Sequence, residues 1–275
     1  MENKYFFHHS NSRFFKISGE DSKSFIQNLI TNDISKCENN KIIYSCILTP
    51  QGRFIADFFI LKKDGYYIFE TDKKFFENLL NKLNIYKLRS NIVIEQIHLF
   101  SYSLFNYHYD SSYLIQSKDP RNLNIGIKLI LQKKIGLLQN NLEEIDETDY
   151  HEILISNNIP YSPIDLLESK SLLLENNFDN LNAIDWQKGC YVGQEITARM
   201  KYRGLLKKKL YSLKVYKGDI TNDKELLVNG KKIGHIISKA HSKIFAVLNI
   251  EFVDELRKKS KKLELDSSLV LDFLD

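Results

Sequence analysis

Ile184-Asp185-Trp186-Gln187-Lys188-Gly189-Cys190-Tyr191-Val192-Gly193-Gln194-Glu195 carries the densest chemistry in this 275-residue chain. A short apolar approach leads into a cysteine flanked by glycines, and then into a helical pattern. Val192, Ile196 and Met200 recur every four residues, which turns them to the core along one helix face. Glu195, Arg199 and Arg203 recur at the same spacing on another face, with glutamate ahead of arginine, the favourable order. Gly204 suits the left-handed position after a helix end. The spacing therefore predicts a helix that starts near Gly193. Gly189 and Gly193 would let backbone approach a ligand closely. Cys190 falls just before the helix start with Lys188 two residues away. The helix dipole and the cation together would favour a thiolate, and free N–H groups at that end can accept an anion. The residues alone leave plainer readings open. A cysteine is more often a small buried hydrophobe, and Glu195 with Arg199 reads first as a helix salt bridge.

Working outward, the N-terminal part alternates short strands and helices without strict order. Phe14–Ser18 reads as a strand, and Asp21 or Ser22 then caps a helix that buries Phe25, Ile26 and Leu29. Ile42–Leu48 and Arg53–Leu61 flank Thr49-Pro50-Gln51-Gly52, a hairpin pattern. A strand at Tyr66–Glu70, a helix at Lys73–Leu83 and a strand at Ile92–Ile97 follow. Residues 98–135 are strand-like, and Asp146–Ser156 is helical, capped by Asp146 or Thr148. After residue 204 the pattern changes to short strands at Lys208–Val215, Glu225–Val228, Lys231–Ser238, Lys243–Ile250 and Leu269–Phe273. Evenly spaced short strands between turn residues point to a small barrel. The expectation is an α+β chain with a mixed body at 1–204 and a C-terminal β-barrel at 205–275.

Composition narrows the function classes. Hydrophobic residues make up 43% and charged residues 27%, as in ordinary globular chains. A net charge of +4 permits an anionic ligand without demanding one. Cys37, Cys46 and Cys190 show no CxxC spacing, which argues against a disulfide framework or a zinc site; Cys37 and Cys46 read as structural. The opening residues lack a signal-peptide pattern, and the apolar run Phe54–Leu61 carries Asp57 and is far short of the roughly 20 residues of a membrane span. These features suggest a soluble, cytoplasmic protein in a reducing compartment, without membrane contact. His8-His9 reads as a terminal pair with no fixed role, and no histidine spacing suggests a metal. No phosphate-binding loop is present. Lys207-Lys208-Lys209 and Arg257–Lys262 read as solvated surface. They leave RNA contact as a secondary reading, since no aromatics interleave them.

The stretch Lys188–Glu195 resembles the signature of the YgfZ/Iba57 family, distant relatives of the glycine-cleavage aminomethyltransferase. The similarity extends along the chain. Gly19, Asp21, Phe25, Gln27 and Thr31-Asn32-Asp33 resemble the family's first helix and its end. Leu48–Arg53 with Asp57 resembles its first hairpin, and Tyr86, Leu88 and Arg89 a second stretch. Asp119-Pro120-Arg121 with Gly126 resembles a third, and Glu175, Asn177 and Asp179 the element leading into the signature, with Leu173 in place of its proline. Arg199, Arg203-Gly204, Gly234 and Ser238 continue the pattern.

The resemblance implies an aminomethyltransferase-like body of two mixed α/β units around a central cavity, plus a small C-terminal barrel. It implies that tetrahydrofolate binds in that cavity. It also implies work in assembly or repair of [4Fe-4S] clusters, including those of radical enzymes that modify tRNA, with Cys190 as the functional thiol. Partners would then be folate and either iron-sulfur assembly proteins or client enzymes, and the protein would be a monomer. One cysteine cannot hold a [4Fe-4S] cluster, which needs about four ligands, so no resident metal is expected. For the folate, Glu175 and Glu195 are carboxylate candidates for the pterin edge, and Tyr191 and Trp186 for stacking. Arg53, Arg89 and Arg199 are candidates for the glutamyl tail. Lys188, Gly189, Gly193 and Gln194 complete the candidate site as its turn. No reaction is assigned; aminomethyl transfer and RNA binding stand as the two rival functions.

Overall fold

The computed structural model describes residues 4–134, 136, 142–220, 224–259 and 262–274. Residues 260 and 261 of the basic run, residue 135 of the strand-like stretch and the first three residues of the chain lie outside them.

The chain opens with β1 (Tyr5–His8) and β2 (Ser12–Ser18), which enter different sheets. Next comes α1 (Ser22–Leu29), which buries Phe25, Ile26 and Leu29 as the spacing predicts. Asp21 sits at its N-cap, but the carboxylate turns outward and accepts from Asn91 N at 2.7 Å, tying the helix start to a distant loop. The predicted hairpin is β3 (Ile42–Leu48) and β4 (Phe54–Lys63), followed by β5 (Tyr66–Asp72), α2 (Lys73–Lys87) and β6 (Val93–Ile97). All pairs in this sheet are antiparallel, in the order β3-β4-β5-β2-β6. β3 is buried on both faces, which is why it reads as a near-continuous apolar run rather than an alternation.

The second sheet takes β7 (Phe100–Phe105), β8 (Ile115–Lys118), β9 (Ile127–Leu131) and β10 (Glu143–Glu144) around β1, in the order β10-β1-β7-β9-β8. Next are α3 (Glu147–Ser156) and the single turn α4 (Ser162–Asp165). Asp146 caps α3 as predicted, accepting from Asp149 N at 2.9 Å. One continuous core joins the sheets, with Phe7, Phe105 and Ile130 from one and Phe15, Phe54 and Phe69 from the other. The cysteine segment then forms a turn and α5 (Gln194–Tyr202).

The remainder is a six-stranded sheet of β11 (Lys208–Lys217), β12 (Glu225–Val228), β13 (Lys231–Ala240), β14 (Lys243–Asn249), β15 (Leu263–Glu264) and β16 (Val270–Phe273), in the order β12-β13-β14-β11-β16-β15. Its edges meet through Asp266. The carboxylate accepts from Asn229 N and Gly230 N, both at 2.8 Å, and its own N–H donates to Leu227 O at 3.1 Å, so the barrel is nearly closed. Between β14 and β15 lies α6 (Ile250–Lys258), absent from the sequence reading, which ran a strand to Ile250. Its signals were available: Asn249 caps it, and Ile250, Val253 and Leu256 repeat at three-residue spacing.

Candidate functional site

The turn that carries Cys190 is anchored on both sides. Asp185 accepts from Gln187 N at 2.6 Å and Lys188 N at 2.9 Å, and pairs with Lys36 at 2.6 Å. The end of α1 grips the approach. Thr31 Oγ1 donates to Ala183 O at 2.7 Å, and Asn32 Nδ2 donates to Tyr44 O at 2.9 Å and Asn182 O at 2.7 Å. Lys188 runs inward. Its Nζ donates to Gln27 O (2.7 Å), Ile30 O (2.6 Å) and Asn32 O (2.8 Å), carbonyls left without partners where α1 ends. Burial lowers the Lys188 pKa to about 8, against the opposing influence of Asp33 and Asp185. This corrects the expectation that Lys188 acts on the Cys190 sulfur: the ammonium is engaged by three carbonyls inside the protein.

Gly193 is the N-cap of α5 at φ 83°. A Cβ there would collide with the Thr49 carbonyl oxygen and lie 2.8 Å from Leu48 Cβ. Across the contact, a Cβ on Gly52 would lie 2.9 Å from Ile196 Cβ. The two glycines let the β3–β4 turn and the start of α5 touch. Gly189 is different: it is exposed, and a Cβ there would meet nothing within 4 Å. The close approach thus belongs to Gly193 alone, and it is made to protein.

Cys190 is exposed, whereas Cys37 and Cys46 are buried. It lies in an open groove with Pro50, Tyr86 and Tyr202, which also receives the predicted site residues Tyr191, Gly193, Gln194, Glu195 and Arg199. Glu195 and Arg199 form the plain helix pair at 2.7 Å, both well exposed. Val192, which precedes α5, and Met200 within it pack only partly into the core. The other candidates are not brought to this groove. Trp186 sits edge-on to Tyr202 at 6.0 Å, under Lys201. Glu175 pairs with Lys208 of the barrel at 3.5 Å, Arg53 donates to Lys170 O at 2.7 Å, and Arg89 is exposed beyond α2.

A separate cavity of about 300 Å³ lies between the two five-stranded sheets. None of the sequence-predicted site residues lines it. Phe7, Phe58, Phe59, Tyr150 and Tyr161 supply apolar wall, and Asp57, Glu70, Arg121 and Lys128 supply charge. Asp57 Oδ2 accepts from Tyr44 Oη at 2.5 Å and Ser162 Oγ at 2.6 Å. Burial raises its pKa, opposed by those hydrogen bonds and by Arg121. The His8-His9 pair, expected to have no fixed role, also enters this wall. His9 Nε2 bonds Ser103 Oγ at 2.8 Å, and the ring packs edge-on against Tyr150. Burial first, then Lys128 and Arg121, push its pKa well below the ordinary value, so the imidazole is neutral. Among these residues Asp57 had a legible signal, a lone carboxylate in an apolar run, and so did Lys128 amid Ile127, Leu129, Ile130 and Leu131. The β3–β4 hairpin separates the two sites: its turn residue Pro50 lines the groove, and Asp57 to Phe59 line the cavity.

Residues 2–95 match the GCVT N-terminal domain family. Across 98% of this chain and 84% of the other, the fold is similar to glycine cleavage system aminomethyltransferase T from Bartonella henselae, with a TM-score of 0.75 at 10% identity. The protein is thus of the aminomethyltransferase-fold class, with a mixed α/β body and a C-terminal barrel. The chain is also 27% identical over 226 residues to an iron-sulfur cluster assembly factor IBA57 homolog of Mycosarcoma maydis, covering 73% of this chain and 55% of that protein. It is 25% identical over 228 residues to mouse IBA57, covering 73% and 63%. With these relatives the resemblance read from the cysteine segment holds: the chain is similar to proteins of the YgfZ/Iba57 type. The matches span little more than half of the relatives' own length. Those relatives are named as mitochondrial, which overturns the cytoplasmic expectation; a missing signal-peptide pattern does not define a compartment. Among the described residues, no helix is long and apolar enough to cross a membrane.

Proposed function

We propose that the chain is a tetrahydrofolate-binding accessory factor for the assembly or repair of iron-sulfur clusters, with Cys190 as its working thiol and the cluster as cargo. The observation that carries this reading is the presentation of Cys190. It is an exposed cysteine on a turn held by Asp185, Lys188 and Gly193 and open to a partner along its groove. Such a thiol can meet a partner's metal or thiol without rearrangement of the fold. The relatives are iron-sulfur cluster assembly factors, which supports the cluster part. Clients would include [4Fe-4S] radical enzymes that modify tRNA.

In a strain lacking the gene, Cys190→Ser is expected to restore none of the activity of a [4Fe-4S] enzyme, while the protein accumulates normally because an exposed substitution barely touches stability. Full rescue would remove Cys190 from the mechanism. The rival readings have their own tests. Folate-dependent ammonia release from an aminomethylated carrier would mark an aminomethyltransferase, and tight tRNA binding with steep salt dependence would mark an RNA module.

The folate part rests on the central cavity. Its aromatic walls suit a flat ring, and its carboxyl groups suit a ring edge with N–H donors. Asp57 gives a test. Its native pKa is raised, so the folded chain holds that proton more tightly than the unfolded chain. The associated stability is present at acid pH and is lost as the pH rises through the native value. Asp57→Asn removes that loss. At neutral pH the variant is expected to melt no lower than wild type, while tetrahydrofolate affinity falls at least about tenfold with loss of the charge-assisted bond. Thermal melts at acid and neutral pH beside a ligand titration check this; a variant that melts lower but binds normally would make Asp57 structural.

A further inference from the structure

We propose that the mouth of the central cavity rejects a polyanionic tail, so that its ligand is a reduced pterin or a monoglutamyl folate rather than a polyglutamylated one. This rests on the folate reading above. The cavity's interior is a built polar site. Glu70 is 2% exposed, and its Oε1 accepts from Ser12 Oγ at 2.6 Å and from Lys128 Nζ at 2.8 Å. Its Oε2 is buried and, among the described residues, has no partner, so it is an acceptor suited to a ligand N–H.

The cations of the lining are engaged or neutral. Lys128 is 1% exposed and bound to Glu70. Arg121 is held by Asp119 through bonds of 3.0 and 2.8 Å, and it donates to Tyr150 Oη at 3.0 Å. Burial is the main cause lowering the pKa of both His8 and His9. No described lining cation is left to pair a carboxylate.

The mouth, by contrast, carries Asp72, Glu144, Asp146 and Glu147. Two helix starts face it, and their positive ends would ordinarily attract an anion. Each is already capped by its own aspartate: Asp72 accepts from Lys74 N at 2.8 Å and Asp146 from Asp149 N at 2.9 Å. Three lysines stand nearby, none of them in the lining. Lys74 donates to Pro163 O at 2.7 Å, Lys73 acts on Asp72, and Lys134 acts on His8. A donor-rich ring is therefore drawn inward. Each added glutamyl carboxylate meets like charge within a Debye length, about 10 Å at moderate salt.

The test titrates the full chain with tetrahydropterin, tetrahydrofolate monoglutamate and its pentaglutamate, at about 50 mM and about 500 mM salt. The first two are expected to bind within about threefold of each other. The pentaglutamate is expected to bind at least about tenfold more weakly at low salt, with the gap closing at high salt. The double variant Glu144→Gln, Glu147→Gln is expected to close the low-salt gap by tightening pentaglutamate binding more than monoglutamate binding; a gap unchanged by it would overturn the assignment to the mouth. Pentaglutamate binding as tight as the monoglutamate would overturn the inference and keep the folate reading. Failure of all three to bind would overturn both.

Discussion

Lys188→Met is expected to destabilise the protein by about 3 kcal/mol, or roughly 6–12 °C in thermal midpoint. Methionine matches the stem but supplies no donor. Three carbonyls at the end of α1 then lose their partner together, and each buried unsatisfied group costs about 1–3 kcal/mol. Relief of the cost of burying a charge offsets part of that sum. The result separates two roles for this residue. If Lys188 were chiefly a ligand contact, the methionine variant would melt normally and lose folate affinity alone. There is also a signature in pH. The Lys188 pKa is lowered from 10.5 to about 8, so between those values the unfolded chain holds the proton that the native chain has released. Wild-type stability therefore rises across that window and carries the full burial cost below it. The methionine variant lacks this contribution, so the difference in stability between the two proteins should widen from pH 8 upward.

The same residue shows what the sequence could and could not tell. Lys188 sits two positions from a cysteine, and local chemistry suggests that it acts on the thiol. Its true partners are 156 to 161 positions away. They are backbone carbonyls, which leave no mark in a sequence. Elements fared better because their signals are local. β3 falls at Ile42–Leu48 as read, and Asp146 caps α3 where the spacing put it. The Cys190 groove was partly legible because most of its wall comes from one contiguous stretch. The central cavity was not. His9, Asp57, Glu70, Lys128 and Tyr150 come from the turn after β1, β4, β5, β9 and α3; Asp57 and Lys128 stand out as charges in apolar runs, but nothing in either segment says that the fold brings the five together. Glu175 and Arg53 illustrate the converse. Their charges suited a ligand, but the fold uses them on Lys208 and on the Lys170 carbonyl.

Gly193→Ala and Gly189→Ala, two substitutions four residues apart, are expected to differ by about 2–5 kcal/mol in stability. At Gly193 the backbone sits at φ 83°, a region that costs an L side chain about 1–2 kcal/mol. The added methyl would also collide with the Thr49 carbonyl oxygen and press on Leu48 Cβ at 2.8 Å. Neither neighbour can easily retreat. Thr49 belongs to a turn closed by Gly52 N donating to Thr49 O at 2.8 Å, and Leu48 is fully buried. Overpacking of this kind costs about 1–3 kcal/mol more. At Gly189 the methyl enters open space and φ lies outside the left-handed region, so the change in stability should stay within about 0.5 kcal/mol. Thermal or denaturant unfolding of the two variants checks this directly. If both melt like wild type, the contact between the β3–β4 turn and α5 does not anchor the Cys190 turn. If Gly189→Ala melts normally yet fails to restore cluster-enzyme activity in the deletion strain, the open space above Gly189 is where a partner comes close to Cys190.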